Sequence, residues 1–169
     1  MGTIDRLKSV VSRSGGFQHA NYFNFSCPAR GLIGSQVEYT ITSATFPSRT
    51  IATAEHNPGT ITKKFPYTIM DEDIEIVFRL TNDWRVYDIW LDWMESIISA
   101  ENYTANYKNE YKADAYLSSM DKKLYYTKEF KLLNAYPIKL GDMQFSNESE
   151  NTIATFGVSL TFDYFEITY

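Results

Sequence analysis

The sequence NDWRVYDIWLDWMES, residues 82–96, contains all three tryptophans of the chain within about four helical turns. The apolar residues of this region recur on one face of a helix. They are Val86, Trp90, Trp93, Met94 and Ile97. The opposite face is mostly acidic. We therefore predict a helix over residues 83–98, with Asn82 or Asp83 as its N-cap.

This aromatic face has two possible uses. Exposed rings interleaved with Lys or Arg would form a stacking platform for nucleic-acid bases. Because the polar face is acidic, packing on a sheet is the better interpretation, and each large side chain buried there would contribute about 1.5–3 kcal/mol. We expect the receiving sheet residues to include Phe156, Leu160 and Phe162.

Residues before and after the helix alternate with the period of β-strands. Strands are predicted over residues 36–44 and 74–80, and a long hairpin over 111–133. Residues 48–62 are predicted to form a loop, followed by a short strand near Lys63. The clearest strand is Thr152–Ile167, which carries an apolar row from Ala154 to Tyr164. The fold class is therefore mainly β, with one major α-helix.

A second, shorter helix is predicted over residues 3–13, ended by Ser14, Gly15 and Gly16. Its apolar positions Ile4, Leu7 and Val11 form one narrow stripe. A stripe of this size does not hold so short a helix in water, so we expect it to dock on another surface.

Composition narrows the functional classes. The 169 residues favour one domain, and the single cysteine excludes an internal disulfide framework. A net charge of −5 without a Lys/Arg stripe argues against a protein that grips DNA by its phosphates. Apolar runs of only a few residues are too short to span a membrane. We expect synthesis in the cytoplasm.

Motifs for catalysis or metal binding do not stand out. His19 and His56 lie outside HExxH patterns and away from any cysteine pair. Asp71–Asp73 lacks the glycine and distal glutamate of an EF-hand loop. Glycine-rich phosphate loops are absent from the sequence. The chain is predicted to be neither an enzyme nor a cofactor-binding or metal-binding protein.

The order of these elements resembles the tail tube proteins of contractile-tailed bacteriophages. Five local patterns carry the resemblance, which spans residues 16–166. They are GFQHANYF at 16–23, ATFP at 44–47, IEIVF at 74–78 running into the helix, LNAYP at 133–137 and VSLTFDYF at 158–165.

The resemblance implies a β-barrel or sandwich flanked by a helix, in one domain over 1–169 with an N-terminal arm at 1–15. Six copies are expected to form a ring, and the rings to stack into the inner tube of a virion tail. Implied partners are further copies, the tail sheath, baseplate or initiator and terminator proteins, and double-stranded DNA that passes without specific binding. The type VI secretion tube shares this architecture, so a tube that carries protein effectors is the alternative.

Two polar strand faces are candidates for the channel wall, because short side chains without Lys or Arg would let phosphates pass. The candidate lining residues are Gln36, Glu38, Thr40, Thr42, Thr155, Ser159, Thr161 and Asp163. An ordinary solvent-exposed sheet face explains the same pattern, and both interpretations stay open.

Contacts between stacked rings are expected at the 111–133 hairpin and at the 48–62 loop, and the N-terminal helix is expected to dock on a neighbouring subunit. A monomeric β-domain enzyme or ligand-binding module is the remaining class. It predicts a deep pocket with convergent titratable groups.

Overall fold

The computed structural model describes residues 3–13, 16–56, 59, 62–146 and 152–168. The predicted helix end at Ser14 and Gly15 lies outside these residues. The helices are α1 Thr3–Arg13, α2 Ser35–Thr40, α3 Arg85–Ile97 and α4 Lys108–Tyr111, with a 3-10 turn at Pro28–Arg30. The strands are β1 Phe23–Ser26, β2 Ile41–Ala44, β3 Arg49–His56, β4 Lys63–Asp71, β5 Ile74–Arg79, β6 Ala113–Met120, β7 Tyr126–Leu140, β8 Thr155–Thr161 and β9 Tyr164–Thr168.

Two antiparallel sheets share the long strand β7. Its first half pairs with β6 and β9, and β6 pairs with β1. Its second half pairs with β8, which continues through β5 to β2. Among the described strands, β1 and β2 end this path without pairing to each other. The predicted antiparallel, mainly β fold with a flanking helix is confirmed, but the barrel is open.

Strand β7 passes from one sheet to the other at Asn134, whose φ of 55° lies in the left-handed region that asparagine tolerates. The Asn134 backbone N–H donates to Asp114 Oδ1 at 3.2 Å, and its side-chain amide donates to Asp163 Oδ2 at 2.8 Å. Lys131 pairs with Asp114, and Lys108 pairs with Asp163. These two ion pairs fix the joint between the sheets.

The core lies between the two sheets and under α3. Trp90 is fully buried, with its ring centroid 6.2 Å from Phe25 of β1 and 5.7 Å from Phe78 of β5. It also stacks on Trp93 at 5.4 Å. Helix α3 therefore packs on both sheets through the ring of Trp90.

Helix α3 starts at Arg85, two residues later than predicted. Trp84 precedes it with a φ of 53°, and the Asp83 carboxylate accepts bonds from the Thr81 hydroxyl and, at 3.5 Å, from the Arg85 N–H. Trp84 is 38% exposed and stacks on Phe145 at 6.4 Å. Two of the three tryptophans, not all three, fill the space beneath the helix.

The predicted strand over 36–44 is wrong in its first half, where the chain forms α2 and only then β2. Val37 and Thr40, three residues apart, are buried on one helical face, whereas Tyr39 is 79% exposed. Tertiary packing therefore overrides a period-two pattern that runs through Tyr39.

Two further predictions of strand extent need correction. Residues 48–62 contain β3 rather than a long loop, and β3 pairs with β4 in a separate two-stranded hairpin. Residues 57, 58, 60 and 61 of the predicted loop lie outside the described residues. The single strand predicted over 152–167 breaks at Asp163 into β8 and β9, which pair with different halves of β7.

None of the described helices combines the length and hydropathy needed to cross a membrane.

Candidate functional site

The sheet of β2, β5, β8 and the second half of β7 presents one face away from the core. Directly paired residues of antiparallel strands point to the same side, so this surface can be followed through the strand register. We call it the polar face. It consists of Ser43, Glu75, Val77, Arg79, Lys139, Thr155, Gly157 and Ser159.

The polar face carries charges of both signs. In the strand register, Arg79 lies opposite Thr155, and both Glu75 and Lys139 lie opposite Ser159. The expectation of a wall without Lys or Arg is therefore wrong for this face, because the register places two cations beside the short polar side chains of β8. The cations come from β5 and β7, whereas the predicted lining considered only residues 36–42 and 155–163.

Two glycines make the polar face flat near its centre. The Gly141 N–H donates to the Gly157 carbonyl at 2.6 Å, and a Cβ on Gly141 would lie 3.0 Å from that same oxygen. A Cβ on Gly157 would lie 3.1 Å from Glu75 Oε1. The Glu75 side chain thus lies across the strand, over a position that has no side chain of its own.

The candidate lining residues do not form one surface. Thr155 is exposed and Ser159 half-buried on the polar face, and Thr42 is exposed at the bulge of β2. Gln36 and Glu38 are exposed on α2, away from any strand register. Thr40 is buried, and its hydroxyl donates to the Gln36 carbonyl at 2.7 Å. Thr40 is therefore excluded from any wall.

The last two lining candidates lie where β8 meets β9. Thr161 is half-buried opposite Tyr136. Asp163 accepts bonds from Lys108 and Asn134, and the Lys108 ammonium, followed by the Asn134 amide, lowers the pKa of its carboxyl. A lowered folded-state pKa means that this ion pair stabilises the fold at neutral pH and loses its effect as acid protonates the carboxyl. Within the subunit, Asp163 therefore stabilises the joint between the two sheets.

The predicted helix–sheet core residues divide into two groups. Val86, Trp90, Trp93, Phe156 and Leu160 lie in the buried core, and Phe162 packs against it. Met94 and Ile97 are only half-buried and line a groove between α3 and β7.

The hairpin of β3 and β4 projects as a separate sheet. Its base is fixed by Arg49, which makes a two-bond ion pair with Asp71 at 2.7 and 2.9 Å and lies 4.5 Å above the Phe165 ring. Beyond the base, Ile51 and its cross-strand partner Ile69 are 56% and 61% exposed. A two-stranded ribbon with exposed apolar residues is marginally stable alone, so this hairpin needs a covering surface.

Chemistry for catalysis is not assembled in the described part of the chain. A surface depression of about 920 Å³ lies between the start of α3 and the start of β8, and Asp142 is the one titratable residue among its described lining residues. Burial raises the pKa of the Cys27 thiol to about 12, so Cys27 is not a nucleophile at neutral pH. Metal-binding clusters of His, Cys, Asp and Glu are absent from the same described residues.

Comparison with known proteins gives a consistent result. A family model described as phage tail tube protein matches residues 16–168. The tail tube protein gp19 of Enterobacteria phage T4 is 30% identical over 145 residues, covering 78% of this chain and 87% of gp19.

Solved structures share the fold. A chain of the sheath–tube complex of the PVC extracellular contractile injection system, in its extended state, matches with a TM-score of 0.65 and 17% identity, covering 90% of this chain and 91% of that one. A chain of the anti-feeding prophage baseplate matches with a TM-score of 0.57 and 11% identity, covering 74% and 78%.

The resemblance seen in the local sequence patterns is confirmed by the family model, which extends from the first strand to the last. This chain belongs to the phage tail tube protein family, a family of structural proteins rather than enzymes.

Proposed function

We propose that this protein assembles into stacked hexameric rings that form the inner tube of a contractile tail, through which double-stranded DNA passes into the host. The observation that carries the proposal is the open sheet. Strands β1, β2 and β9 each pair on one side only among the described residues. Free strand edges promote aggregation unless another chain pairs with them.

A closed ring pairs strand edges of one subunit with strand edges of the next. If each subunit offers one free edge to each of its two neighbours, rotation closes the assembly and those edges are no longer free. The polar face would then line the channel, and α3 would lie on the outside. The family match to the phage T4 tail tube protein supports this arrangement.

The partners follow from the same proposal. The matched structures include a sheath–tube complex, a tube terminator and a baseplate. We infer that this chain contacts its own sheath, baseplate and terminator proteins in the same way. Assembly would take place in the host cytoplasm, and the tube would be part of the mature tail.

The alternative function is a tube of a contractile injection system that carries protein effectors. Arg79 and Lys139 favour it, because cations on a channel wall would retain phosphates. The two functions are distinguished by the cargo of purified particles. DNA in attached capsids supports the phage tail, whereas capsid-free particles loaded with protein support the injection system.

Substituting Ile69→Asp on the hairpin is expected to abolish tube formation while the subunit stays folded. Because Ile69 is 61% exposed, a charge costs the monomer little, but it would be buried without a partner in a ring contact. Electron microscopy of concentrated protein, together with the thermal unfolding midpoint of the monomer, checks both parts.

The matched control is Ile33→Asp, which changes an apolar side chain of similar exposure, 54%, in a loop outside the hairpin. Tubes from the Ile33 variant but not from the Ile69 variant support the hairpin contact. Normal tubes from the Ile69 variant would show that the hairpin is not an assembly surface.

Replacing Thr155 and Ser159 together by lysine is expected to lower DNA delivery by assembled particles about tenfold or more. Both residues lie on the polar face, and every ring would repeat the added phosphate contacts. Delivery is measured as genome entry per adsorbed particle.

The double replacement by glutamate adds bulk without attracting phosphate and is the control for steric effects. It should deliver DNA close to the wild-type level. Equal delivery by the lysine and wild-type particles would remove the polar face from the channel wall.

A further inference from the structure

The groove between α3 and the second half of β7 is apolar and open. Its volume is about 500 Å³. Its apolar lining is Leu91, Met94, Ile97, Ile98, Pro137 and Ile138. Ile98 is 54% exposed and Ile138 47% exposed, so the groove presents large side chains that the subunit itself does not cover.

We propose that this groove receives helix α1 of a neighbouring copy of the same chain. The proposal rests on the self-assembly proposed above and adds the place where one subunit holds the next. Helix α1 exposes Ile4 by 69% and Leu7 by 57% on one side. Its 11 residues span about 16 Å, which fits alongside the 13-residue α3.

The charges of the two helices are complementary. Helix α1 carries Arg6, Lys8 and Arg13 against a single Asp5. Helix α3 carries Asp88, Asp92 and Glu95 against a single Arg85. The three carboxylates are exposed, and Glu95 also lines the groove.

Charge pairs beside an apolar contact fix the register of a docked helix more than they add affinity. Lys139, the residue after Ile138, is the one cation next to the groove on β7. The acidic residues of α3 therefore make the charge beside the groove negative, and a basic helix is the occupant that fits.

The position of the chain after α1 favours a neighbour over the same subunit. Gln18 donates to the Met120 carbonyl at 2.6 Å, which ties this segment to the closed end of the β6–β7 hairpin. The groove lies near Pro137, beyond the bend of β7 at Asn134. Within the subunit α1 does not cover it, because Ile4 and Leu7 stay exposed.

Charge reversal tests the contact directly. Arg6→Glu with Lys8→Glu should raise the concentration needed for tube formation at least about tenfold, and Asp92→Lys with Glu95→Lys should do the same. Combining all four changes should bring that concentration back to within about threefold of wild type. Ser9→Glu, on the polar side of α1, is the control and should have little effect. Failure of the combined variant to recover, with all variants folded, overturns the proposal.

A cross-link identifies which chain occupies the groove. Two populations with different tags are mixed, one carrying Leu7→Cys and the other Ile98→Cys, and assembled under mild oxidation. Cys27 is fully buried and does not compete. We expect a disulfide-linked heterodimer on a non-reducing gel.

The remaining outcomes separate this proposal from the proposed function. Tubes that form without the cross-link overturn the groove contact alone, as does a disulfide within one chain when both cysteines are placed in a single dilute subunit. Wild-type protein that stays monomeric at every concentration, with or without tail initiator proteins, overturns both proposals.

Discussion

Trp90→Ala is expected to lower the free energy of unfolding by about 3–5 kcal/mol. The indole is fully buried and contacts aromatic rings on both sheets as well as Trp93. Alanine would leave a cavity where the two sheets are held together by side chains rather than by backbone hydrogen bonds. Urea unfolding followed by circular dichroism measures the change.

Two comparison variants separate ring packing from other effects. Trp90→Phe keeps an aromatic ring between Phe25 and Phe78 and should lose clearly less stability than Trp90→Ala. Trp84→Ala removes a tryptophan that is 38% exposed and should cost about 1 kcal/mol or less. A similar loss for Trp84→Ala and Trp90→Ala would contradict the view that the ring of Trp90 holds the two sheets together.

Stability and assembly should fail together in the Trp90→Ala variant. Free edges of β1 and β2 are held in place through Phe25, Phe78 and the ring of Trp90 between them. If the edge strands move apart, their spacing no longer allows them to pair with the strands of a neighbouring subunit. We therefore expect no tubes from this variant even at temperatures where most of it remains folded.

Deletion of residues 1–14 is expected to leave a folded subunit that does not polymerise. Every described side chain of α1 except that of Val11 is exposed, so its removal takes little from the core. The thermal unfolding midpoint should change by only a few degrees, because exposed segments contribute little to stability. Sedimentation velocity should show monomer at concentrations where the full chain forms tubes.

Adding the helix back provides the control for this deletion. A peptide of residues 1–14 supplied in excess should bind the shortened subunit without restoring tubes, because it fills the groove but does not connect two subunits. Tubes of normal length from the shortened chain would show that α1 has no part in assembly.

Several elements could be predicted because their signals are local. Hydrophobic periodicity indicates which side chains are buried. It is helical from Val86 to Trp93 and alternates through Ile74 and Phe156. Both follow from the 3.6-residue and two-residue periods of the backbone, which need no knowledge of the partner surface. The absence of a metal or catalytic motif and the five local patterns of the family were visible in the same way.

Other features depend on which strands become neighbours. Arg79 and Lys139 lie on the same polar face only because β5 and β7 both pair with β8, and β7 brings Lys139 there through the bend at Asn134. Thr40 changed from a candidate wall residue to a buried one because Val37 and Thr40 pack together on a helix. Both outcomes depend on long-range packing, about which a local sequence pattern carries no information.

The sequence by itself determined the family, the mainly β class, the aromatic helix and the lack of catalytic motifs, because each is encoded in short-range spacing. Only the tertiary structure decided that the last apolar row divides at Asp163, that the sheets end in free edges and that the hairpin of β3 and β4 stands apart. Those features arise from strand pairing between distant segments, whose energies depend on contacts that no single stretch of chain contains.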